Sequence, residues 1–303
     1  MPTIPPARGR RFPSESHQHR QMAESFGLDA ERYDRTRPRY PDALVKRIAA
    51  TVAPGAGAGR ESGSGSGSGP EAGSGSGPGS GCRILDVGAG TGIAARQLQA
   101  AGCTVLGIEP DARMAALARR FGGEAEVATF EAWDPAEREF DAVVAGQSWH
   151  WIDPVAGAAK AARVLRPGGL LAAFWNVFQL PSELAEAFAE VCGRVLPDSP
   201  FDLQDAMKQP LNGNHALFAK VADGFREAGG FGDPEQWRFD WETECTRDAW
   251  LDQLPTQGAF TQLPPDKLAE LLEGAGAAVD ALGGSFTMRY ATVAVTATRT
   301  PAG

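Results

Sequence analysis

The sequence predicts an α/β fold, a parallel sheet with helices packed on both faces. Three observations carry this. After residue 82, short β-branched and leucine-rich runs alternate with helical patterns. The loops between them are short, as in β-α-β units. The first such run ends at a glycine-rich turn, I-L-D-V-G-A-G-T-G over residues 84–92, that leads into a helix. No internal repeat is evident.

Residues 1–20 are proline- and arginine-rich without periodicity and are expected to be disordered. Residues 21–54 read as a helical segment. It contains Q-M-A-E-S-F-G, A-E-R-Y-D-R-T-R-P-R-Y-P and the amphipathic D-A-L-V-K-R-I-A-A-T-V, with Asp42 as its cap after Pro41. Residues 55–81 are almost pure Gly, Ser, Ala and Pro and read as a flexible insertion. A domain-separating linker is the alternative, disfavoured because little sequence precedes it to form a core.

Residues 82–178 form the expected core, with strands at Arg83–Val87, Thr104–Glu109, Ala125–Thr129, Phe140–Gly146 and Leu170–Val177. Helices are expected at Gly92–Ala101, Asp111–Phe121 and Pro154–Leu165. Residues 179–285 are less regular, with helices at 182–196, 214–229 and 265–282 and a late strand at Gln236–Trp241. Residues 286–303 hold a last strand, Phe286–Thr298, and a tail.

The chain has 303 residues and a net charge of −9. It has no Lys/Arg run long enough for a nucleic-acid stripe, so no nucleic-acid partner is expected. The longest apolar run, near 170–178, is too short to span a bilayer, so no membrane partner is expected. The N-terminal residues lack an apolar h-region, and the four cysteines are spread along the chain without a C-x-x-C. Both point to a cytoplasmic protein with reduced thiols and to no zinc or other metal.

A strand that stops at glycines and passes into a helix suits a ligand at the strand's carboxyl end. It also suits a plain tight turn. The spacing Gly88-Ala89-Gly90-Thr91-Gly92 is G-x-G-x-G, not the G-x-G-x-x-G of a pyrophosphate site. Asp86, two residues before the first glycine, would repel a pyrophosphate and suit a cation or hydroxyls. Glu109, at the tip of the next strand, can accept both hydroxyls of a ribose. Together they describe a niche for a nucleoside without phosphates.

These stretches, with G-I-E-P-D-A-R-M-A-A-L-A-R, F-D-A-V-V-A-G-Q-S-W-H-W-I-D and R-V-L-R-P-G-G-L-L-A-A-F-W-N, resemble the class I S-adenosylmethionine-dependent methyltransferases. The nearest likeness is to the small-molecule, type 11 group that includes trans-aconitate methyltransferase-like enzymes. The resemblance runs from about Phe26 to Arg299, apart from the Gly/Ser insertion. It implies a Rossmann-like sheet, mostly parallel with the last strand antiparallel, and a helical cover over the active site.

It further implies S-adenosylmethionine as cofactor; the aromatic residues of 178–285 suggest a small, partly apolar methyl acceptor, and methylation at oxygen is expected rather than at nitrogen or carbon. By the same resemblance, Asp86, Gly88 and Gly90 surround the cofactor's methionine and ribose, Ala89 and Gln147 are further cofactor-binding residues, and Glu109 holds the ribose. Pro110, Met114, Phe130 and Glu131 flank the adenine, and Tyr33 and Arg37 close over it, Arg37 on the methionyl carboxylate. Two bland readings stand beside these: Glu131 as an exposed turn acid, and Arg32, Arg35, Arg37 and Arg39 as a solvated basic face.

The resemblance sets Q-S-W-H-W beside the sulfonium. Trp149, Trp151 and Trp175 are the expected acceptor-side residues, since aromatic faces attract a sulfonium; the two tryptophans of the loop equally suit packing. His150, the one histidine inside the core pattern, is the candidate general base or else a structural hydrogen-bonder. A carboxylate acceptor would need no base. A non-catalytic protein that binds S-adenosylmethionine or its demethylated product fits the same cofactor motifs; a nicotinamide-dependent oxidoreductase fits them poorly.

Overall fold

The computed structural model describes residues 25–53, 81–197 and 210–301, with the side chains of 210–213 left aside. The expectations for residues 1–20 and for all but the last residue of the 55–81 insertion lie outside the described residues. Seven strands form one sheet: β1 (Arg83–Val87), β2 (Thr104–Glu109), β3 (Glu124–Val127), β4 (Phe140–Gly146), β5 (Leu165–Gln179), β6 (Glu235–Thr246) and β7 (Ser285–Thr298). Their order is β3-β2-β1-β4-β5-β7-β6. The first five run parallel, and β7 enters antiparallel to both β5 and β6. The mostly parallel sheet with an antiparallel last strand is therefore what the molecule has.

Nine helices are described: α1 (Ala30–Thr36), α2 (Asp42–Val52), α3 (Ile93–Ala100), α4 (Ala112–Arg120), α5 (Pro154–Val164), α6 (Ser182–Val195), α7 (Pro210–Ala228), α8 (Arg247–Gln253) and α9 (Pro265–Asp280). The strand alternation divides the core. Leu85, Val143, Leu171 and Val293 point to one face, where they meet Ala158, Ala161 and Val164 of α5 and Phe218 and Phe225 of α7. Ile84, Ala142, Val144 and Ala172 point to the other, against Leu44 and Ile48 of α2 and Leu98 of α3. Both faces are covered, as parallel strands require. Local signals start the helices. Asp153 accepts hydrogen bonds from the Val155 and Ala156 N–H groups at 3.1 and 2.8 Å, with Pro154 as first helical residue. Asp42 is the first residue of α2 rather than its cap, which is Pro41.

β5 and β7 run on past the parallel sheet, pairing from Leu170 with Thr298 to Gln179 with Arg289. The overhang carries a third apolar cluster, in which Phe188 of α6, Trp250 of α8, Leu271 of α9 and Tyr290 of β7 are buried together. This is the expected helical cover. The late strand is twice the predicted length, and α8 was not foreseen; both occur where charged residues break the apolar alternation. No helix of the described residues is long and apolar enough to cross a membrane.

The expectation of separate thiols is corrected. Cys82 and Cys103 form a disulfide across 21 residues. They meet because β1 and β2 start side by side, Arg83 opposite Thr104, and the Thr104 N–H bonds the Cys82 carbonyl at 2.8 Å. Cys192 and Cys245 stay free. The cysteines therefore no longer argue for a reducing compartment. A cross-link of this span contributes roughly 3 kcal/mol by restricting the unfolded chain. The Cys82→Ala/Cys103→Ala variant is expected to melt about 6–10 °C below the oxidised protein. Thermal melts with and without reductant check this; a wild-type melt indifferent to reductant would contradict it.

Candidate functional site

A partly open cleft lies at the carboxyl ends of β1, β2 and β4. The glycine turn forms its floor. Gly88 and Gly90 have φ of +67° and +57°, the left-handed region glycine tolerates best. A Cβ on Gly88 would stand 2.5 Å from the Ser148 Cβ. The crowding follows from topology: β4 neighbours β1, so the loop after β4 crosses the turn after β1. Ser148 pins that crossing by donating its hydroxyl proton to the Val87 carbonyl.

Two buried acids sit beside this floor. Glu109 is 8 % exposed, and each of its oxygens accepts one backbone N–H, from Gly90 at 2.8 Å and from Asp111 at 2.9 Å. A carboxylate has further acceptor capacity on both oxygens, so both remain able to take a second donor. Asp86 is 1 % exposed, and neither oxygen has a well-formed hydrogen bond among the described residues, although the Ala95 N–H of α3 pulls its pKa down against burial. Burial, with Glu109 close by, pushes the Asp86 pKa up to about 7. Burial likewise raises Glu109 to about 7, against the pull of its two backbone donors. An orphaned buried carboxyl is costly and marks a site that awaits a donor or a cation.

The N-terminal segment borders the cleft. Phe26 and Tyr33 line it, their rings 5.7 Å apart. Asp34 of α1 is buried and accepts from the Thr91 hydroxyl at 2.7 Å and from Arg96 of α3 at 2.5 Å. Burial pushes its carboxyl up, but these two donors outweigh that and hold it below the usual range. The latch was missed in the sequence, where an acid among arginines looks like surface. The arginines of α1 are not simply a solvated face. Arg32 and Arg35 both bond Asp252 of α8, at 2.9 and 2.8 Å, tying this segment to the cover.

Tyr33, Gly88, Gly90, Glu109, Pro110, Met114, Phe130, Glu131, Gln147 and Trp151 all line the cleft, as the sequence suggested. Gln147 has a φ of +59°, unusual for a side chain of its size. Asp86 and Ala89 lie just beneath the surface, 1 % and 9 % exposed. Arg37 does not line the cleft: its guanidinium lies over Tyr33 at 4.8 Å and donates to the Thr256 carbonyl.

Trp149 and Trp175 are also absent from the cleft wall. Trp149 is fully buried against Phe130 and Phe225, and Trp175 packs on Phe218. Both indoles thus pack in the core against Phe225 and Phe218 of α7 rather than in the cleft wall. His150 accepts the Trp175 indole proton on Nδ1 at 3.1 Å, and burial lowers its pKa to about 4. An indole nitrogen can only donate, so the Nδ1 lone pair is already used. This geometry gives the general-base reading no basis and supports the structural one. A further cleft, over β5, β7 and β6, is bordered by the exposed ion pairs Arg238–Asp240 and Arg289–Glu242, at 2.8 and 3.8 Å.

The family model of a methyltransferase domain matches residues 85–173, the stretch that builds the glycine turn, both acids and β4–β5. Residues 85–173 therefore carry a methyltransferase domain. An uncharacterised methyltransferase of Mycobacterium tuberculosis is 32 % identical over 180 residues, which is 58 % of this chain and 61 % of that protein. The chain thus spans about three fifths of the length of the curated relatives it matches. A malonyl-[acyl-carrier protein] O-methyltransferase of Enterobacter lignolyticus is 31 % identical over 144 residues, 45 % of this chain and 55 % of that one. A solved structure described as a type II methyltransferase from Anaeromyxobacter dehalogenans shares the fold, at TM-score 0.59 and 22 % identity. It covers 88 % of this chain and 99 % of its own.

The methyltransferase domain fits the cofactor of its family on its own chemistry: an unpartnered acid, a second acid with spare acceptor capacity, and a floor without side chains. Both acids are raised above their unfolded values, so the unfolded chain ionises first as pH climbs. Stability of the ligand-free domain is therefore expected to fall between about pH 4 and pH 7. Asp86→Asn should remove part of that fall, raising the melting temperature at pH 8 relative to wild type while weakening cofactor binding at least about tenfold. Melting curves from pH 4 to 8 and titration calorimetry check both halves.

Proposed function

We propose that this chain transfers a methyl group from S-adenosylmethionine to a small, partly apolar acceptor, at oxygen. The observation that carries the reading is Asp86, a buried carboxyl without a partner beneath a glycine floor. Bound in the cleft, S-adenosylmethionine would supply a methyl group made electrophilic by a cationic sulfur.

The chain's own residues would do the rest. Asp86 offers negative charge to the methionine end, where the cofactor carries its cationic groups. Glu109 accepts the two ribose hydroxyls on the oxygen capacity left by Gly90 and Asp111. Pro110, Met114, Phe130 and Glu131 enclose the base, and Tyr33 covers it from the N-terminal segment. Such enclosure strips water from the reacting atoms and restricts them to an in-line approach, the main contribution a methyl-transfer site makes. Trp151 gives the acceptor side an aromatic wall.

Oxygen is favoured as the acceptor atom because no His, Lys or Cys lines the cleft among the described residues. An acceptor already ionised, such as a carboxylate, needs no base. The name of the relative from Enterobacter lignolyticus points the same way.

Titration calorimetry with S-adenosylmethionine, followed by methyl transfer from the labelled cofactor to a panel of small carboxylic acids, phenols and amines, tests the reading. Micromolar binding and label on an oxygen acceptor are expected. Binding that survives in Asp86→Ala/Glu109→Ala would contradict the site, and label on amines alone would contradict the acceptor.

A further inference from the structure

Lys160 stands on the inner face of α5 in a stripe otherwise made of Gly157, Ala158, Ala161 and Val164. It is only 9 % exposed. Its ammonium donates to the Glu131 carbonyl at 3.0 Å and to the Trp133 carbonyl. It also lies 5.4 Å from the Phe130 ring centre and 5.8 Å from that of Trp133. A leucine or alanine would satisfy the packing of α5 at this position. A charged donor is there at a desolvation cost, so what it holds deserves naming.

It holds the loop between β3 and β4. Within that loop the Ala132 and Trp133 N–H groups turn inward to the Thr129 carbonyl, at 3.1 and 2.9 Å. The Glu131 and Trp133 carbonyls both accept from the Lys160 ammonium instead. The same loop supplies Thr129, Phe130 and Glu131 to the cleft wall. Lys160 does not line the cleft itself.

We propose that Lys160 is a positioning residue for the adenosine-side wall: it fixes the loop from Thr129 to Trp133 so that Phe130 and Glu131 face the bound base. The proposal rests on reading the cleft as the adenosyl site. Two geometric facts carry it, the pair of carbonyls on one buried ammonium and the cation over the Phe130 ring. Removing the ammonium takes the donor from the buried Trp133 carbonyl and loosens the partly buried Glu131 carbonyl, and the loop would shift, carrying Phe130 off the base.

The test is a double-mutant cycle read by titration calorimetry with S-adenosylhomocysteine, which needs no acceptor. Wild type must first bind it; if it does not, the adenosyl reading itself fails, whatever Lys160 does. Lys160→Met is expected to bind about tenfold more weakly than wild type. In a Phe130→Ala background the same substitution should cost no more than about twofold, because the wall it positions is already gone. A loss below about threefold in Lys160→Met, or an undiminished loss in the Phe130→Ala background, overturns the proposal. Thermal melts accompany each variant. Should Lys160→Met lack a cooperative melt, Lys160→Gln, with an N–H donor on a stem one atom shorter, is carried through the same cycle and judged by the same ratio.

Discussion

The arrangement depends on one costly placement, the Asp86 carboxyl set into the end of β1 with no donor to meet it. The neighbouring strand could have brought a lysine or arginine to the same point, and the usual rule for buried acids would have been satisfied. Instead it brings Glu109, a second acid, and burial holds both near pH 7. Such a pair is a liability in the empty protein and an asset toward a ligand carrying positive charge and paired hydroxyls. The disulfide at the other end of β1 and β2, and the apolar layers on both faces, keep those two strand tips from moving apart.

Around that placement, each part of the cleft is held by an element of different origin. The glycine turn comes from the β1–α3 junction, one wall from the β3–β4 loop, and Phe26 and Tyr33 from the segment before the sheet. Polar contacts join them: Asp34 to Thr91 and Arg96, Arg32 and Arg35 to Asp252, Lys160 to the Glu131 and Trp133 carbonyls. Partly buried charge-assisted contacts of this kind specify geometry more than they stabilise.

Much of this was legible in the sequence, and the reasons are local. Strands β1, β2 and β4 occupy the residues that their apolar runs indicated, because each is bounded by a glycine or acidic turn. The residues lining the cleft were legible because backbone turns and strand ends place them. The cysteine pair was not, since strand adjacency rather than sequence distance brings Cys82 to Cys103. Nor was the direction of the indoles. W-H-W reads as an aromatic cluster beside a reaction centre, but only the path of the short helical turn decides that Trp151 faces the cleft and Trp149 the core. His150 shows the same limit: its chemistry is spent on Trp175, a partner 25 residues away.

The central claim, that the Asp86 carboxyl loses its proton to solvent when a cationic adenosyl ligand binds beside it, is most directly tested by proton linkage. Calorimetric titration with S-adenosylmethionine at pH 7, run in buffers of different ionisation enthalpy, reads the protons exchanged on binding. The account predicts net proton release in wild type, because the bound cation lowers the carboxyl's pKa, and a smaller release in Asp86→Asn. Binding with no proton exchange, or with the same release in both proteins, would contradict it.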